Sequence, residues 1–278
     1  MNKTYKLLGL SNGKKLEQWG DIITLRPSPI VIWQDKKIDK YKFDAEFIRN
    51  SSGNGIWKFQ RKVPEKWLIN FQNLKFIIKL TGFGHTGLFP EQLDQFSWFK
   101  NIIKNSNEKL TILNLFAYTG SVTMICAKTG GIVTHLDAAP GVVNWAKENA
   151  KHNNMPNNIR WIVDDVQKFV QREIRRGNQY NGIILDPPSF GRGPKGEVWK
   201  LEEHLFNLLK NLKKLLKKQN IFFHMSCHTP GFTPLVLKEI SQLIFPEYTK
   251  YFEYDEMKIP YDSNKFLPAG SFLRFKIF

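Results

Sequence analysis

From about residue 107 onward, short apolar segments alternate with longer amphipathic ones along the chain. Continuous apolar runs predict strands buried on both faces, and apolar residues that recur every three or four positions predict helices between them. The predicted strands are TILNLF, IVTHLD, IRWIVDD, YNGIILD and IFFHMSC. The first predicted helix begins at Ser121, and the four that follow it cover 140–151, 166–176, 201–217 and 234–244. This order predicts right-handed crossovers and a doubly wound parallel sheet.

The end of the chain follows a different pattern. Polar and apolar residues alternate in two segments with no helical segment between them, KYFEYDEMK and SFLRFKIF, which predicts an antiparallel strand pair. Such a terminal pair distinguishes the sheet of S-adenosylmethionine-dependent methyltransferases from a plain dinucleotide-binding sheet. The predicted fold class is therefore α/β: a doubly wound, Rossmann-like methyltransferase sheet with a terminal antiparallel strand pair, plus a small β-rich N-terminal domain.

The first part of the chain has a strand-like pattern that glycines and prolines interrupt. Its apolar segments are TLRPSPIVIW, GIWKFQRKV and KWLINFQNLKFIIKL. We predict a small β-rich domain over 1–80, a loop and a connecting helix over 81–106, and the sheet domain over 107–278. The tryptophans of the first domain fit either stacking on RNA bases or a small core: Trp19, Trp33, Trp57 and Trp67. Its basic residues fit either contact with a phosphate backbone or solubility: Arg26, Arg49, Arg61 and Lys62.

Composition and charge limit the class of protein. The chain has 278 residues, of which 42% are hydrophobic, and it lacks a run of about 18 apolar residues, so we expect a soluble, cytoplasmic protein without membrane association. The formal net charge of +16 favours a phosphate-rich partner such as RNA, although lysines on a solvated helix face also contribute. The two cysteines, Cys126 and Cys227, lack metal-ligand spacing, and we expect neither a metal site nor a disulfide.

Aspartates end successive predicted strands, and a turn with a single glycine follows the first strand. The turn lacks the G-x-G-x-x-G pattern that brings a pyrophosphate against a helix, which argues against a nicotinamide oxidoreductase. Gly120 still permits close approach of S-adenosylmethionine, which carries no phosphate. Asp137 is suited to accept ribose hydroxyl hydrogens, and Asp164 or Asp165 adenine amino hydrogens. The candidate cofactor-binding residues of these strand ends are Phe116, Tyr118, Thr119, Gly120, Asp137, Asp164, Asp165 and Asp186.

The segment after the fourth predicted strand is the candidate substrate site. Asp186 stands at the strand end, and the two prolines after it stiffen the backbone, which predicts a rigid group of hydrogen-bond acceptors. Phe190 is suited to stack on a nucleobase, the basic residues after it can hold phosphates, and the glycine-rich loop over 191–196 is interpreted as a lid. The candidate substrate-binding residues are Pro187, Pro188, Phe190, Arg192 and Lys195.

Four motifs resemble those of class I S-adenosylmethionine methyltransferases in the branch that modifies large-subunit ribosomal RNA at cytosine C5 or guanine N7: NLFAYTG, THLDAAPGVVNWAKEN, DDVQKFV and DPPSFGRG. The resemblance covers about residues 81–227 and implies S-adenosylmethionine as the cofactor and ribosomal RNA as the partner. It also implies that the loop TGFGHTGLFPEQ completes the cofactor pocket, with Phe83, His85, Phe89 and Gln92 near the methionine end. No counterpart of the PUA domain of the cytosine-C5 members is recognised, and GRGPKGEVW is similar to the extension of an uncharacterised bacterial subgroup.

Two methyl-transfer mechanisms remain open, and they differ in the atom that is methylated. Cytosine C5 requires a thiolate that first adds to C6. Cys227, which resembles the S-C-S position of the cytosine-C5 relatives, is the candidate nucleophile, Asp186 is the second candidate catalytic residue, and His228 is a neighbour that can lower the thiol pKa. A guanine nitrogen requires no cysteine. We place the cytosine route first, the guanine route second, and a basic RNA-binding protein that keeps the fold without turnover third.

Overall fold

The computed structural model describes residues 4–50 and 54–278, so the first three residues of the predicted β-rich domain and residues 51–53 lie outside the described residues. Contacts between residues divide the described chain into two compact units. The first contains the residues up to Pro90 together with Ile259–Leu267, and the second contains Glu91–Lys258 and Pro268–Phe278.

The first unit is built almost entirely from strands, as the sequence predicts. Five of them form a sheet in chain order: β1 (Tyr5–Ser11), β2 (Lys14–Trp19), β3 (Ile22–Pro27), β4 (Ala45–Arg49) and β5 (Gly55–Phe59). The last long apolar segment forms a separate hairpin of β6 (Trp67–Phe71) and β7 (Leu74–Ile78). Its turn residues Gln72 and Asn73 have φ angles of 53° and 61°, the left-handed pair that a tight two-residue hairpin turn requires.

A buried ion pair lies in the core of the first unit. Arg26 Nε donates to Glu17 Oε2 at 2.6 Å, and Glu17 is fully buried. Burial raises the pKa of Glu17, but Arg26 and Lys15 outweigh that effect and hold the pKa below its ordinary value. Trp19 is likewise fully buried, and the Arg26 guanidinium lies 5.5 Å from its ring. Trp19 and Arg26 therefore belong to the core, so core packing is correct for Trp19, whereas Arg26 forms a buried ion pair that the sequence did not predict.

The second unit is organised around a seven-stranded sheet, which confirms the predicted fold class. Its strands lie in the order β10 (Ile159–Val163), β9 (Ile132–Asp137), β8 (Thr111–Leu115), β11 (Gly182–Leu185), β14 (Ile221–Cys227), β16 (Lys265–Ile277) and β15 (Glu253–Asp262). The first five are parallel, and β16 runs antiparallel to β14. A short separate hairpin consists of β12 (Phe190–Arg192) and β13 (Val198–Lys200).

The described chain has six α-helices, of which the first precedes β8 and the other five connect the strands that follow: α1 (Leu93–Lys104), α2 (Ser121–Lys128), α3 (Pro140–His152), α4 (Val166–Arg175), α5 (Leu201–Leu215) and α6 (Pro234–Ile244). The chain moves outward from β8 to β10 and then returns to β11 on the other side of β8, so the strand order reverses between β8 and β11. In such sheets ligands bind outside the carboxyl ends of the strands at this reversal. No helix of the described chain is long and apolar enough to cross a membrane.

The glycine-rich segment after β11 is more ordered than the sequence predicted. It forms the β12–β13 hairpin, in which Phe190 pairs with Lys200 and Arg192 with Val198. Only the turn between Gly193 and Glu197 lies outside the strands. Its first two residues are paired with those before α5, so the segment 191–196 is not wholly irregular, and its role as a lid stays a prediction.

Candidate active site

The turn after β8 has a strained backbone conformation. Phe116 and Tyr118 have φ angles of 52° and 49°, and Gly120 has a φ of 85°. Left-handed non-glycine residues persist only where their surroundings hold them, and here the Tyr118 N–H donates to Asp137 Oδ2 at 3.0 Å. A Cβ on Gly120 would lie 3.2 Å from the Ala146 Cβ. The turn therefore follows a tight path that only glycine permits at its end.

Hydrogen bonds among buried polar groups stabilise this turn and the start of α2. The Asn149 side-chain amide donates at 3.0 Å to the carbonyl of Thr119, one of the predicted cofactor-binding residues. Thr123 Oγ1 accepts from Asn114 Nδ2 and lies 2.9 Å from His135 Nδ1. Burial lowers the pKa of His135 to about 3, so the imidazole is neutral. Sequence reasoning missed these supports, because polar residues inside a strand or helix carry no pattern that reveals a shared contact.

Asp137 ends β9 and belongs to the same turn. Its Oδ2 accepts from the Tyr118 N–H and its Oδ1 from the Ala139 N–H, both at 3.0 Å. Burial raises the pKa of Asp137, although these backbone donors oppose the effect. Each carboxylate oxygen has a second acceptor position, so Asp137 keeps the capacity to bind hydroxyl groups.

The two aspartates after β10 have structural partners. Asp164 forms an ion pair with Arg172 and accepts from the Asp165 N–H at 2.9 Å. Asp165 caps α4, since its carboxylate accepts from the Lys168 N–H at 2.9 Å. Their contact with adenine stays a prediction.

Asp186 lies just after β11 and is held from α1 and β14. Gln92 Nε2 donates to Asp186 Oδ2 at 3.2 Å and contacts Ser226 Oγ at 3.1 Å. Because a carboxylate only accepts hydrogen bonds, this contact identifies which end of the Gln92 amide is nitrogen. The other end, Gln92 Oε1, is buried and has no hydrogen-bond partner among the described residues. An unused buried acceptor beside the strand ends indicates a place for a ligand donor.

His228 lies between two carboxylates. Its Nε2 is 3.3 Å from Asp186 Oδ1, and its Nδ1 is 3.6 Å from Glu91 Oε1 and 3.0 Å from the Ala269 carbonyl. Burial lowers the pKa of His228, but the carboxylates outweigh it and raise the pKa to about 9. In turn, burial raises the pKa of Asp186 and His228 lowers it, so that it lies below its ordinary value. At neutral pH this is an imidazolium beside the ionised Asp186 carboxylate, and the sequence did not predict that Glu91 lies on its other side.

Cys227 ends β14, but it faces away from this group. Side chains alternate along a strand, and Ser226 contacts Gln92 whereas Cys227 belongs to the hydrophobic cluster that contains Phe223 and Met225. Its side chain is 1% exposed. Burial raises the pKa of its thiol, although Thr229 opposes the effect. The second cysteine, in α2, is fully buried, and burial raises its pKa as well.

The substrate candidates after Asp186 lie on the β12 side of the crevice. Pro187 is buried and Pro188 is exposed. Phe190 is 54% exposed, and the Arg192 guanidinium lies 5.8 Å from its ring centre. Lys195 is exposed in the hairpin turn. An exposed aromatic ring with cations beside it is a surface on which a nucleobase can stack, so their role in substrate binding stays a prediction with a suitable geometry.

The loop before Glu91 belongs to the first compact unit, whereas Gln92 belongs to the second. Within the first unit, the His85 and Phe89 rings are 5.5 Å apart and Phe83 is 64% exposed. Arg26 Nη1 donates to the Gly84 carbonyl at 2.7 Å, so the buried ion pair of this unit also holds the loop. Contact of Phe83, His85 and Phe89 with the cofactor stays a prediction. Among the described residues, no group of histidine, cysteine, aspartate and glutamate side chains is arranged to hold a metal ion.

A family model described as S-adenosylmethionine-dependent methyltransferase matches residues 48–244, which is more than half of the chain. The chain belongs to this family. A crystal structure of the S-adenosylmethionine-dependent methyltransferase from Agrobacterium tumefaciens is similar with a TM-score of 0.92 and 31% identity, covering 99% of this chain and 91% of that one. A methyltransferase solved in complex with SAH has the same fold, with a TM-score of 0.78 at 19% identity, covering 99% of this chain and 76% of that one.

The curated relatives of this methyltransferase have names that refer to ribosomal RNA. Ribosomal RNA large subunit methyltransferase K of Neisseria meningitidis is 27% identical over 212 residues, covering 72% of this chain and 58% of that protein. Ribosomal RNA large subunit methyltransferase K/L of Shewanella baltica is 34% identical over 199 residues, covering 70% and 26%. The chain thus spans between about a fifth and three fifths of the length of these curated relatives. The predicted class of enzyme and its cofactor, S-adenosylmethionine, are confirmed.

Proposed function

We propose that this methyltransferase transfers a methyl group to a guanine nitrogen of ribosomal RNA without a covalent enzyme–base adduct. The names of its relatives and its net charge of +16 support RNA as the substrate. The observation that carries the choice of mechanism is the position of His228 between Asp186 and Glu91. It holds the Asp186 carboxylate ionised as an acceptor in the crevice, with the imidazolium between two carboxylates.

The crevice fits S-adenosylmethionine, which when bound supplies a methyl group activated on a sulfonium. A Cβ on Gly120 would lie 3.2 Å from the Ala146 Cβ, so glycine lets the turn pass close to α3. Asp137 binds the ribose hydroxyl groups in this proposal. Gln92 Oε1, which has no partner among the described residues, accepts from the ammonium of the methionine end. These groups orient the cofactor, which is most of what an in-line displacement requires.

On the substrate side, Asp186 accepts a hydrogen bond from the guanine base. Methylation of a guanine nitrogen places positive charge on the base, and an ionised carboxylate held in position stabilises that charge. His228 holds Asp186 ionised, since its charge lowers the carboxyl pKa. Phe190 stacks on the base, and Arg192 and Lys195 bind phosphates.

The cytosine route, which the sequence placed first, has less support. It requires a thiolate, whereas Cys227 is 1% exposed and burial raises its pKa. His228 follows it in the chain, but its ring lies between Asp186 and Glu91, and the residue that lowers the pKa of the Cys227 thiol against burial is Thr229. We therefore propose that Cys227 is an inert core residue, as free cysteines commonly are.

Substitution of Cys227 tests this choice. Cys227→Ala and the matched control Cys126→Ala each remove one buried thiol, and both variants are expected to methylate RNA at a rate within about threefold of the wild type after allowance for stability. Asp186→Asn, which keeps the shape and removes the charge, is expected to lose about a hundredfold. Mass spectrometry of the product nucleoside is expected to show a methylguanosine. Loss of transfer in Cys227→Ala alone, with S-adenosylmethionine affinity retained, would restore the cytosine route.

A further inference from the structure

The segment that carries Asp186 has no regular secondary structure. It runs from the end of β11 to the start of β12, and prolines remove two of its backbone donors. An acceptor group that holds a base must nevertheless keep a fixed position, because small displacements cost large factors in rate. Some other part of the chain therefore has to hold the backbone here.

Two hydrogen bonds from the residues around β13 supply this support. Trp199 Nε1 donates to the Pro188 carbonyl at 2.7 Å. The Leu201 N–H donates to the Ser189 carbonyl at 3.0 Å. The first of these bonds comes from a side chain, so it can be removed by substitution without a change in the backbone.

The ring of the same tryptophan contacts the cofactor side of the crevice. Its centre lies 5.0 Å from that of Phe116, one of the residues with a left-handed backbone in the turn after β8. On its other side it stacks on His204 at 5.6 Å. Trp199 is 4% exposed, so these contacts hold it in one position. One side chain thus connects the turn of the cofactor side to the segment of the substrate side.

The hairpin that carries Trp199 is itself anchored. Gly191 pairs with Trp199 across the hairpin, and a Cβ on Gly191 would lie 3.6 Å from the Pro188 ring. At the turn, Lys168 of α4 donates to Glu197. The hairpin is therefore packed against the acceptor segment and connected to the helix that follows β10.

We propose that Trp199 is a positioning residue for methyl transfer, which holds the Pro188 carbonyl with its indole N–H and the Phe116 ring with its indole face. This inference rests on the proposed function, because it takes Asp186 and the residues after it as the segment that holds the base. Trp199 fixes the position of the Pro188 carbonyl, whose oxygen keeps one further acceptor position.

Two substitutions distinguish the contribution of the Trp199 indole N–H from that of its ring. Trp199→Phe keeps an aromatic ring against Phe116 and removes the donor to Pro188. We expect kcat to fall by about tenfold to a hundredfold, because a small displacement of the acceptor segment costs large factors in rate. Affinity for S-adenosylmethionine, measured by calorimetry, is expected to stay within about threefold. Trp199→Ala removes the ring as well and is expected to weaken S-adenosylmethionine binding in addition to lowering kcat.

Trp98→Phe is the matched control. Trp98 is 8% exposed in α1, and its Nε1 has no hydrogen-bond partner among the described residues, so the substitution removes a buried indole N–H that holds nothing in the crevice. Its kcat is expected to stay within about threefold of the wild type below the melting temperature. If Trp199→Phe lowers the melting temperature as Trp98→Phe does but leaves kcat unchanged, Trp199 is a core residue only and the inference is overturned.

Asp186→Asn distinguishes this failure from failure of the proposed function. If Asp186→Asn abolishes transfer while Trp199→Phe is fully active, the base is held where we propose and the positioning role is wrong. If Asp186→Asn is itself fully active, the base is held elsewhere, and the proposed function and the inference that rests on it fail together. Support for both requires loss of kcat in Asp186→Asn and in Trp199→Phe, with folding and cofactor affinity retained.

Discussion

Replacement of His228 by glutamine removes the positive charge between Asp186 and Glu91. The imidazole Nε2 lies 3.3 Å from Asp186 Oδ1, and Nδ1 lies 3.6 Å from Glu91 Oε1. Glutamine keeps hydrogen-bonding groups of similar reach but leaves both carboxylates without a counter-ion. We therefore expect His228→Gln to be less stable than the wild type and to have a raised carboxyl pKa at Asp186.

The size of the effect follows from the pKa of His228. An increase from 6.5 to about 9 corresponds to about 3 kcal/mol of preferential binding of the proton in the folded state. The side chain is 33% exposed, and solvent screening reduces this to roughly 1–2 kcal/mol. Since the pKa is higher in the folded state, the contribution is fully present below about pH 6.5 and is lost as the pH rises through about 9.

Urea unfolding of both proteins over this pH range measures the contribution. The difference in free energy of unfolding between wild type and His228→Gln is expected to be roughly 1–2 kcal/mol near pH 6 and to approach zero near pH 10. His152→Gln is the matched control, because His152 is exposed at the end of α3. It is expected to change the free energy of unfolding by less than about 0.5 kcal/mol at each pH.

A difference that is constant with pH would refute the reasoning, since it would mean that packing of the ring, and not its charge, accounts for the loss. A difference that grows toward high pH would have the wrong sign and would show that His228 is neutral in the folded protein. The pKa of His228 can also be followed directly by NMR of its ring protons.

Three further substitutions test other parts of the molecule. Gly120→Ala places a Cβ 3.2 Å from that of Ala146 at a φ of 85°, and we expect a loss of about 1–2 kcal/mol in stability together with weaker S-adenosylmethionine binding by calorimetry. Asp137→Asn converts a carboxylate that accepts backbone N–H bonds into an amide, and S-adenosylmethionine affinity is expected to fall at least about tenfold, which equilibrium dialysis would measure. Arg26→Met leaves the buried Glu17 with Lys15 and Tyr5 as the remaining partners of its carboxylate among the described residues and is expected to cost up to about 3 kcal/mol in thermal or urea unfolding. The double variant Arg26→Met with Glu17→Gln is expected to be less affected than Arg26→Met alone.

Hydrophobic periodicity predicted the sheet domain well, because strands buried on both faces and helices with one apolar face have distinct patterns. Asp137 and Asp186 follow from this alone, since each stands at the end of a predicted strand and parallel strands bring such ends to one edge. The N-terminal part was predicted only as β-rich. Its seven described strands include short, twisted hairpins whose register depends on turn geometry, such as the left-handed pair at Gln72 and Asn73.

The arrangement of side chains in the candidate active site depends on contacts between residues far apart in the chain. Spacing along the chain did not indicate that Gln92 contacts both Ser226 and the Asp186 carboxylate. Nor did it indicate that Glu91 and Asp186 lie on either side of His228. Cys227 illustrates the limit most directly. Its position at a strand end suggested a nucleophile, whereas the alternation of β14 directs it into the hydrophobic cluster.

The sequence by itself thus determined the order of strands and helices, the strand ends that carry carboxylates, the single-glycine turn and, through its motifs, the methyltransferase family. These are local properties of period, turn chemistry and composition. Only the tertiary structure decided that His228 is charged and Cys227 buried, and that Trp199 contacts both Pro188 and Phe116. The physical reason is that charge state, burial and hydrogen-bond partners depend on which distant side chains surround a group, and no local pattern encodes those neighbours.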